Sequence, residues 1–168
     1  MILSGAISSG RGQSGVPTIG SSAADFKMFS PTLSAAVQLS ALKGQPVVLN
    51  FWGSWCAPCR DEMPALNEIA GELKSKFTLL AIGVGEPASK SLKYLQDNNL
   101  GNLTLLGDPE TGAGADLETS AQVTKKYGVN SYPTTVFIDK AGLIQAVRFS
   151  GLTKNSFLSY LRNIDVTR

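Results

Sequence analysis

The sequence predicts a three-layer α/β domain built on a mixed central sheet. Apolar runs rich in β-branched and aromatic residues alternate with segments whose apolar residues recur every three or four positions, so strands alternate with helices. The last two such runs, 135–139 and 143–149, are joined by a turn short enough for an antiparallel hairpin. The chain has 168 residues, 43% hydrophobic and 17% charged, which suits one globular domain burying about 70% of its unfolded surface.

The N-terminal residues differ in composition from the rest of the chain. Residues 4–22 are rich in Gly and Ser and poor in large apolar side chains, which is typical of a flexible lead or tether. We therefore assign residues 1–23 to a flexible N-terminal lead and residues 24–168 to the folded domain. Near the start of that domain, residues 25–29 and 36–39 are predicted to form a small hairpin.

A β–α–β unit follows. Residues 46–52 form a nearly continuous apolar run, the pattern of a strand buried on both faces, and this predicts the central strand. From Ala57 the period changes to that of a helix, with Pro58 in the first turn, where proline is well tolerated. Residues 77–84 are a second buried strand, so the crossover should be right-handed. The apolar stripe of the helix consists of Cys59, Met63, Leu66, Ile69, Ala70 and Leu73.

The remaining elements extend this unit. Residues 88–98 are predicted as a helix and residues 103–106 as a short strand added to the sheet. A short helix around Val123 ends at Gly128 and precedes the C-terminal hairpin. A last helix closes the chain, with an apolar face of Phe157, Leu158, Leu161 and Ile164.

Charge and composition exclude several classes of function. The net charge of +2 supplies no basic field for nucleic acid or an anionic membrane, so we expect no nucleic-acid partner. The chain has no histidine, which removes imidazole catalysis and nearly all zinc sites. No stretch approaches the roughly 20 apolar residues of a membrane span. No signal peptide is visible at the start, so we expect either a cytoplasmic protein or one whose leader has been removed.

The two cysteines, Cys56 and Cys59, stand in one short motif and leave no framework of structural disulfides. Cys56 lies between a buried strand and a helix, where unpaired N–H groups and the helix dipole favour a thiolate, the attacking species in thiol–disulfide exchange. Cys59 lies on the apolar stripe and should be less exposed, as suits a resolving thiol. A static disulfide, half of a metal site and a two-coordinate Cu(I) site are the alternatives. Haem attachment is excluded because Arg60 stands where that motif requires histidine.

Two longer segments carry a family resemblance. They read VLNFWGSWCAPCR at 48–60 and GVNSYPTTVFID at 128–139, with Pro64 in the helix between them. With these segments the sequence resembles the thioredoxin superfamily, and more closely its TlpA/ResA-like branch of thiol-disulfide oxidoreductases. The likeness runs from Asp25 to Ile164.

The resemblance implies a thioredoxin fold with an N-terminal β-hairpin and a central helix–strand insertion over residues 87–106. It also implies a cis peptide bond before Pro133, beside which a substrate chain can pair with the backbone. Trp55 resembles the family's tryptophan, a flat apolar surface for a partner chain. Glu86 resembles an acidic residue near the active site of that branch, although a solvated loop carboxylate explains it equally well. The implied catalytic residues are Cys56 and Cys59, and the implied substrate-binding or supporting residues are Trp55, Ala57, Pro58, Tyr132, Pro133, Thr134 and Glu86.

Two positions depart from related patterns. Asn50 stands where thioredoxins proper usually carry a buried aspartate, and because an amide does not titrate, proton handling must differ here. Thr134 stands where close relatives dedicated to cytochrome c maturation often carry Glu. The loop over residues 112–120 is longer than usual and has no assigned role, and its Gly112-x-Gly114 pair is too weak a pattern for a phosphate site.

The direction of electron flow is predicted to be reductive. Pro58 supplies no backbone N–H to the Cys56 thiolate, and a less stabilised thiolate makes a less oxidising pair. The resemblance implies the same direction: a reductant of protein disulfides outside the cytoplasm, recharged by a membrane thiol donor and often serving haem attachment to apocytochrome c. We expect a monomer with protein thiol or disulfide substrates and no cofactor or metal beyond the redox-active disulfide.

Other functions and another compartment remain open. A Cu(I)-handling module would use the same two thiolates, and an oxidising disulfide donor or isomerase would reverse the electron flow. A peroxidase is disfavoured because Gly53 stands where that family usually has Thr three residues before its reactive cysteine. The expected location is extracytoplasmic, in the periplasm or on the outer face of the membrane, with the cytoplasm as the alternative.

Overall fold

The computed structural model describes residues 17–111, 114 and 116–167. They form seven strands, four α-helices and a short 3-10 helix at Leu39–Leu42. The strands are β1 (Lys27–Ser30), β2 (Ala35–Gln38), β3 (Val47–Trp52), β4 (Thr78–Pro87), β5 (Thr104–Asp108), β6 (Thr134–Ile138) and β7 (Ile144–Arg148). The α-helices are α1 (Ala57–Glu72), α2 (Ala88–Asp97), α3 (Ser120–Lys126) and α4 (Lys154–Arg162). None of these described helices is long and apolar enough to cross a membrane.

The central sheet is mixed, as predicted. Its five strands stand in the order β5-β4-β3-β6-β7. Strand β3 pairs in parallel with β4 and antiparallel with β6. Every residue of β3 is buried, because it is the middle strand and both of its faces are covered.

Two apolar cores lie on opposite faces of the sheet. Successive side chains of a strand point to opposite faces, so Val48 belongs to one core and Leu49 to the other. The first core includes side chains of α1 and α4, and the second includes α3 and the N-terminal hairpin. The result is the predicted three-layer arrangement, with the sheet in the middle.

The N-terminal hairpin is a separate two-stranded sheet of β1 and β2. The Thr32 hydroxyl in its turn accepts a hydrogen bond of 3.1 Å from the backbone N–H of Leu105 in β5. Further upstream, the Gly20 N–H donates to the Ile144 carbonyl at 2.7 Å, so this short segment lies against the start of β7. Most of the predicted lead, residues 1–16, lies outside the described residues, and the domain boundary after residue 23 stays a prediction.

Strand β4 is longer than the sequence predicts. It continues to Pro87, whereas Gly85 and Pro87 indicate a turn after Val84. The pairing with β5 shifts register between Ile82 and Pro87, and Gly85 has a φ of +72°, a conformation that glycine adopts without steric cost. This irregularity lets the strand continue past the point where regular pairing stops, directly into α2. The predicted loop at 112–120 is described only in part, because residues 112, 113 and 115 lie outside the described set.

We expect Phe157→Ala to lower the free energy of unfolding by about 3–5 kcal/mol, because it opens a cavity in the first core. Phe157 is completely buried and packs against Phe137 with ring centroids 5.4 Å apart. Urea unfolding measures the change. Phe149→Ala is the matched control, since Phe149 is 47% exposed and its truncation leaves no cavity. Equal losses in the two variants would contradict this account of the core.

Candidate active site

The two cysteines form a disulfide at the N terminus of α1. Cys56 is the N-cap residue of that helix, and Cys59 lies in its first turn with its backbone N–H donating to the Cys56 sulfur at 3.3 Å. Cys56 is 6% exposed and Cys59 is fully buried. The exposure therefore follows the predicted order, and a partner can approach the pair only from the Cys56 side. The intervening Ala57 and Pro58 are both exposed on the helix surface.

An aromatic surface borders the disulfide. Trp55 is 49% exposed, and its indole N–H donates to the Val84 carbonyl at 2.9 Å. Tyr132 meets the Trp55 ring edge-on, with centroids 5.5 Å apart. Trp55 directly precedes Cys56, so these rings form an exposed apolar surface next to the more accessible sulfur.

The loop before β6 closes the other side of the site. The Tyr132–Pro133 peptide bond is cis, and Pro133 is buried. Thr134 pairs with Phe51, near the end of β3, so this loop lies beside the end of the strand that leads to Cys56. The Thr134 side chain is fully buried and its hydroxyl donates to the Ser131 carbonyl at 2.8 Å. The Thr134 side chain thus supports the loop from inside.

Glu86 lies inside β4 and is 8% exposed, so it is not a solvated loop carboxylate. Its carboxylate accepts hydrogen bonds from the backbone N–H of Ser54 at 2.8 Å and from the Ser54 hydroxyl at 2.5 Å. The Ser91 hydroxyl donates to it at 2.7 Å, and the Lys90 ammonium lies 3.8 Å away. The acid therefore holds the loop that connects β3 to Cys56.

Glu62 is a site residue that the sequence reasoning missed. It lies almost one helical turn after Cys59 and is only 3% exposed. Its two carboxylate oxygens accept hydrogen bonds from the Asn50 amide at 2.7 Å and from the Leu152 backbone N–H at 2.8 Å. Burial raises the pKa of Glu62 from its usual 4.5 to about 7, against the opposing effect of these two donors. The sequence feature that could have identified Glu62 is its position three residues after Cys59, as an acidic residue beside an otherwise apolar stripe.

Asn50 is the polar residue that departs from the thioredoxin pattern, and it is fully buried. Its amide nitrogen donates to Glu62 and also to the Thr135 hydroxyl, at 3.1 Å. A carboxyl with a pKa near neutrality therefore lies in contact with the amide that replaces an aspartate. A titratable carboxyl thus lies one hydrogen bond away from the amide at position 50.

The chain matches the AhpC/TSA family over residues 19–147, about three quarters of its length. It belongs to the AhpC/TSA family. A curated relative, the thiol-disulfide oxidoreductase ResA of Geobacillus thermodenitrificans, is 33% identical over 147 residues, covering 87% of this chain and 78% of the relative. The thioredoxin-like protein YneN of Bacillus subtilis is 35% identical over 138 residues, covering 80% of this chain and 74% of the relative.

A solved structure agrees with these relatives. The exposed lipoprotein thioredoxin of Streptococcus pneumoniae strain TIGR4 superposes with a TM-score of 0.67 and 30% identity, over 83% of this chain and 98% of the other. The predicted thioredoxin fold and the resemblance to the ResA-like branch are therefore confirmed. This AhpC/TSA-family protein is an enzyme, a thiol-disulfide oxidoreductase.

We expect Glu62→Gln to remove part of the pH dependence of stability. Between pH 4.5 and about 7 the folded protein retains a proton on Glu62 that the unfolded chain releases, so wild-type stability falls as the pH rises through this window. The neutral variant lacks this fall, which amounts to at most about 3 kcal/mol. Urea unfolding of the oxidised protein between pH 4 and 8 measures it. The control Glu110→Gln, at an exposed carboxyl, should keep the wild-type slope; a wild-type slope in Glu62→Gln would refute the assignment.

Proposed function

We propose that this enzyme reduces protein disulfides outside the cytoplasm, with Cys56 as the attacking thiol and Cys59 as the resolving thiol. The observation that supports this most directly is the order of exposure at the N terminus of α1, where Cys56 alone of the pair reaches the surface. The helix N terminus and the Cys59 N–H both stabilise negative charge on the Cys56 sulfur. Cys56 is thereby suited to be the thiolate that attacks.

The proposed reaction transfers two electrons to the substrate. The Cys56 thiolate attacks one sulfur of the substrate disulfide, that disulfide breaks, and the other substrate sulfur leaves as a thiolate and takes up a proton. Cys59 then loses its proton and attacks the Cys56 sulfur of the mixed disulfide. The second substrate thiol is released, and the enzyme is left with the Cys56–Cys59 disulfide. A thiol donor must reduce that disulfide before the next cycle.

We propose that Glu62 accepts the proton that Cys59 loses when it attacks the mixed disulfide. The carboxyl lies almost one helical turn from Cys59, away from bulk solvent, and its pKa of about 7 lets it accept and release a proton near neutrality. Asn50 holds this carboxyl in place, although it cannot titrate itself. This arrangement explains how the chain functions without an aspartate at position 50.

Trp55 and Tyr132 are proposed to dock the substrate chain. Their rings border Cys56, and a groove of about 570 Å³ opens beside Tyr132 between the end of β4 and α3. Ala57 and Pro58 lie exposed next to the sulfurs and complete the contact surface. A surface of this size suits a polypeptide better than a small thiol.

The direction and the compartment are also proposals. Pro58 offers no N–H to the Cys56 sulfur, which favours the direction in which the enzyme reduces its substrate. One similar structure is named an exposed lipoprotein, which supports a location outside the cytoplasm. There we propose that a membrane thiol donor recharges a monomeric enzyme, and that apocytochrome c disulfides, reduced to thiols during cytochrome c maturation, are among its substrates. The two sulfurs carry the electrons, so the proposed reaction requires no further cofactor.

We expect the Cys56–Cys59 pair to have a low reduction potential, near the value of about −270 mV typical of thioredoxin. The measurement equilibrates the protein in dithiothreitol or glutathione buffers and counts free thiols by labelling. A value near about −120 mV, as in strong disulfide oxidants, would reverse the proposed direction and make the protein a disulfide donor.

We expect Cys59→Ser to accumulate a mixed disulfide between Cys56 and a protein substrate, because nothing remains to resolve it. Non-reducing gel electrophoresis after mixing with a disulfide-containing protein detects the adduct. Cys56→Ser is the control and should give neither adduct nor turnover. If Cys56→Ser formed the adduct instead, the two roles would be exchanged. Stoichiometric Cu(I) binding with negligible reductase activity in the wild type would favour the copper-handling function.

A further inference from the structure

We propose that Glu86 is a positioning residue that sets the loop over residues 53–55, and through it Trp55 and Cys56, for the attack on protein disulfides. This inference rests on the proposed reduction of protein disulfides and is independent of the compartment proposed above. Glu86 itself is not assigned any contact with the substrate. Its effect passes through Ser54.

The Glu86 carboxylate engages both hydrogen-bond donors of Ser54. The backbone N–H and the hydroxyl lie 2.8 and 2.5 Å from its two oxygens. A carboxylate accepts such bonds more strongly than a neutral group does, and here it is shielded from water. The Ser91 hydroxyl, from α2, donates to it at 2.7 Å and holds the acid in turn. Glu86 thus holds Ser54 in place, and Ser91 holds Glu86.

The other groups of the loop are held by near neighbours. The Trp55 indole N–H donates to the Val84 carbonyl at 2.9 Å, two residues before Glu86 on the same strand. The Arg60 guanidinium donates to the Ser54 carbonyl at 3.0 Å, and the Cys56 N–H donates to the Gly53 carbonyl at 3.1 Å. The end of β4 therefore acts as a clamp on the connection between β3 and the nucleophile.

The Trp55 ring packs closely against the backbone of its own loop. A Cβ atom on Gly53 would lie 2.3 Å from the indole nitrogen, and one on Gly85 would lie 3.5 Å from it. The indole is therefore seated against two glycine backbones, and Tyr132 borders it edge-on. If Ser54 moved, the neighbouring Gly53 backbone and the Trp55 ring packed against it would move as well. The Trp55 surface next to Cys56 thus depends on the Glu86–Ser54 hydrogen bonds.

This dependence separates two kinds of substrate. A protein disulfide contacts the Trp55 surface as well as the Cys56 sulfur, whereas a small aromatic disulfide needs little more than the sulfur. Loss of preorganisation lowers the rate for the substrate that uses the larger surface. The Glu86 charge is lost both in Glu86→Ala and in Glu86→Gln, so a comparison of these two variants separates the effect of the charge from that of the hydrogen bonds to Ser54.

The experiment compares Glu86→Ala with Glu86→Gln in the full chain. Both variants lose the charge, but only glutamine keeps an oxygen that can accept from the Ser54 N–H. We expect Glu86→Ala to lower the rate constant for insulin disulfide reduction about tenfold and that for 5,5′-dithiobis(2-nitrobenzoate) about twofold or less. Glu86→Gln should lose about threefold or less on insulin.

Fluorescence provides a readout of the loop. Trp52 is fully buried and Trp55 is half exposed, so acrylamide quenching reports Trp55. Quenching should increase in Glu86→Ala and stay at the wild-type level in Glu86→Gln. Asp97→Ala is the matched control: it removes an exposed carboxylate that accepts from the Lys93 ammonium, and it should change neither rate nor quenching.

Several outcomes would overturn the proposal. They are equal losses on both disulfides, wild-type rates in Glu86→Ala, or the same loss in Glu86→Gln as in Glu86→Ala. Should Glu86→Ala fail to fold, Ser54→Ala provides the test, because it removes only the hydroxyl hydrogen bond to Glu86. Relative to the wild type, its rate on insulin must fall by a larger factor than its rate on the small disulfide. If the two rates fall equally, the proposal is wrong. Activity on the small disulfide reports the oxidoreductase chemistry separately. If the wild-type protein did not reduce the small disulfide, the proposed function would be refuted rather than this inference.

Discussion

The burial of β3 on both faces is the constraint on which the rest of the structure depends. The strand can be apolar throughout only because a core lies on each side of the sheet, and those cores require the helices and the N-terminal hairpin to cover it. Its carboxyl end then leads, after three residues, to Cys56 at the start of α1. The reactive sulfur is consequently attached to the central, fully buried strand, and its accessibility is set by the few residues between strand and helix.

The fold was largely predictable because its signals are local. The apolar run of β3, the period change at Ala57 and the short turn before β7 each reside within a few consecutive residues, and each was confirmed. The extension of β4 to Pro87 was not predictable, because Gly85 and Pro87 indicate a turn when they are considered alone. What overrides that local preference is pairing with β5, which is separated from β4 by a helix and becomes visible only in three dimensions.

The site was predictable to the same degree and for the same reason. The cysteine pair is a local motif at a strand–helix junction, and the disulfide is where the sequence predicts it. Glu62 escaped notice because its meaning depends on Asn50 and Leu152, which are 12 and 90 residues away along the chain. Glu86 was singled out by resemblance, but its burial and its bonds to Ser54 required the observed course of β4.

The Leu152 N–H has a consequence for how this enzyme can be tuned. This donor belongs to the connection between the edge strand and the last helix, a segment far from the cysteine motif in sequence, yet it helps to stabilise the charged form of the carboxyl beside Cys59. A change in that connection that removed this hydrogen bond would raise the pKa of Glu62 further without any change in the motif. The acidity of this buried carboxyl is therefore set in part by a loop that contributes a backbone N–H and no side chain.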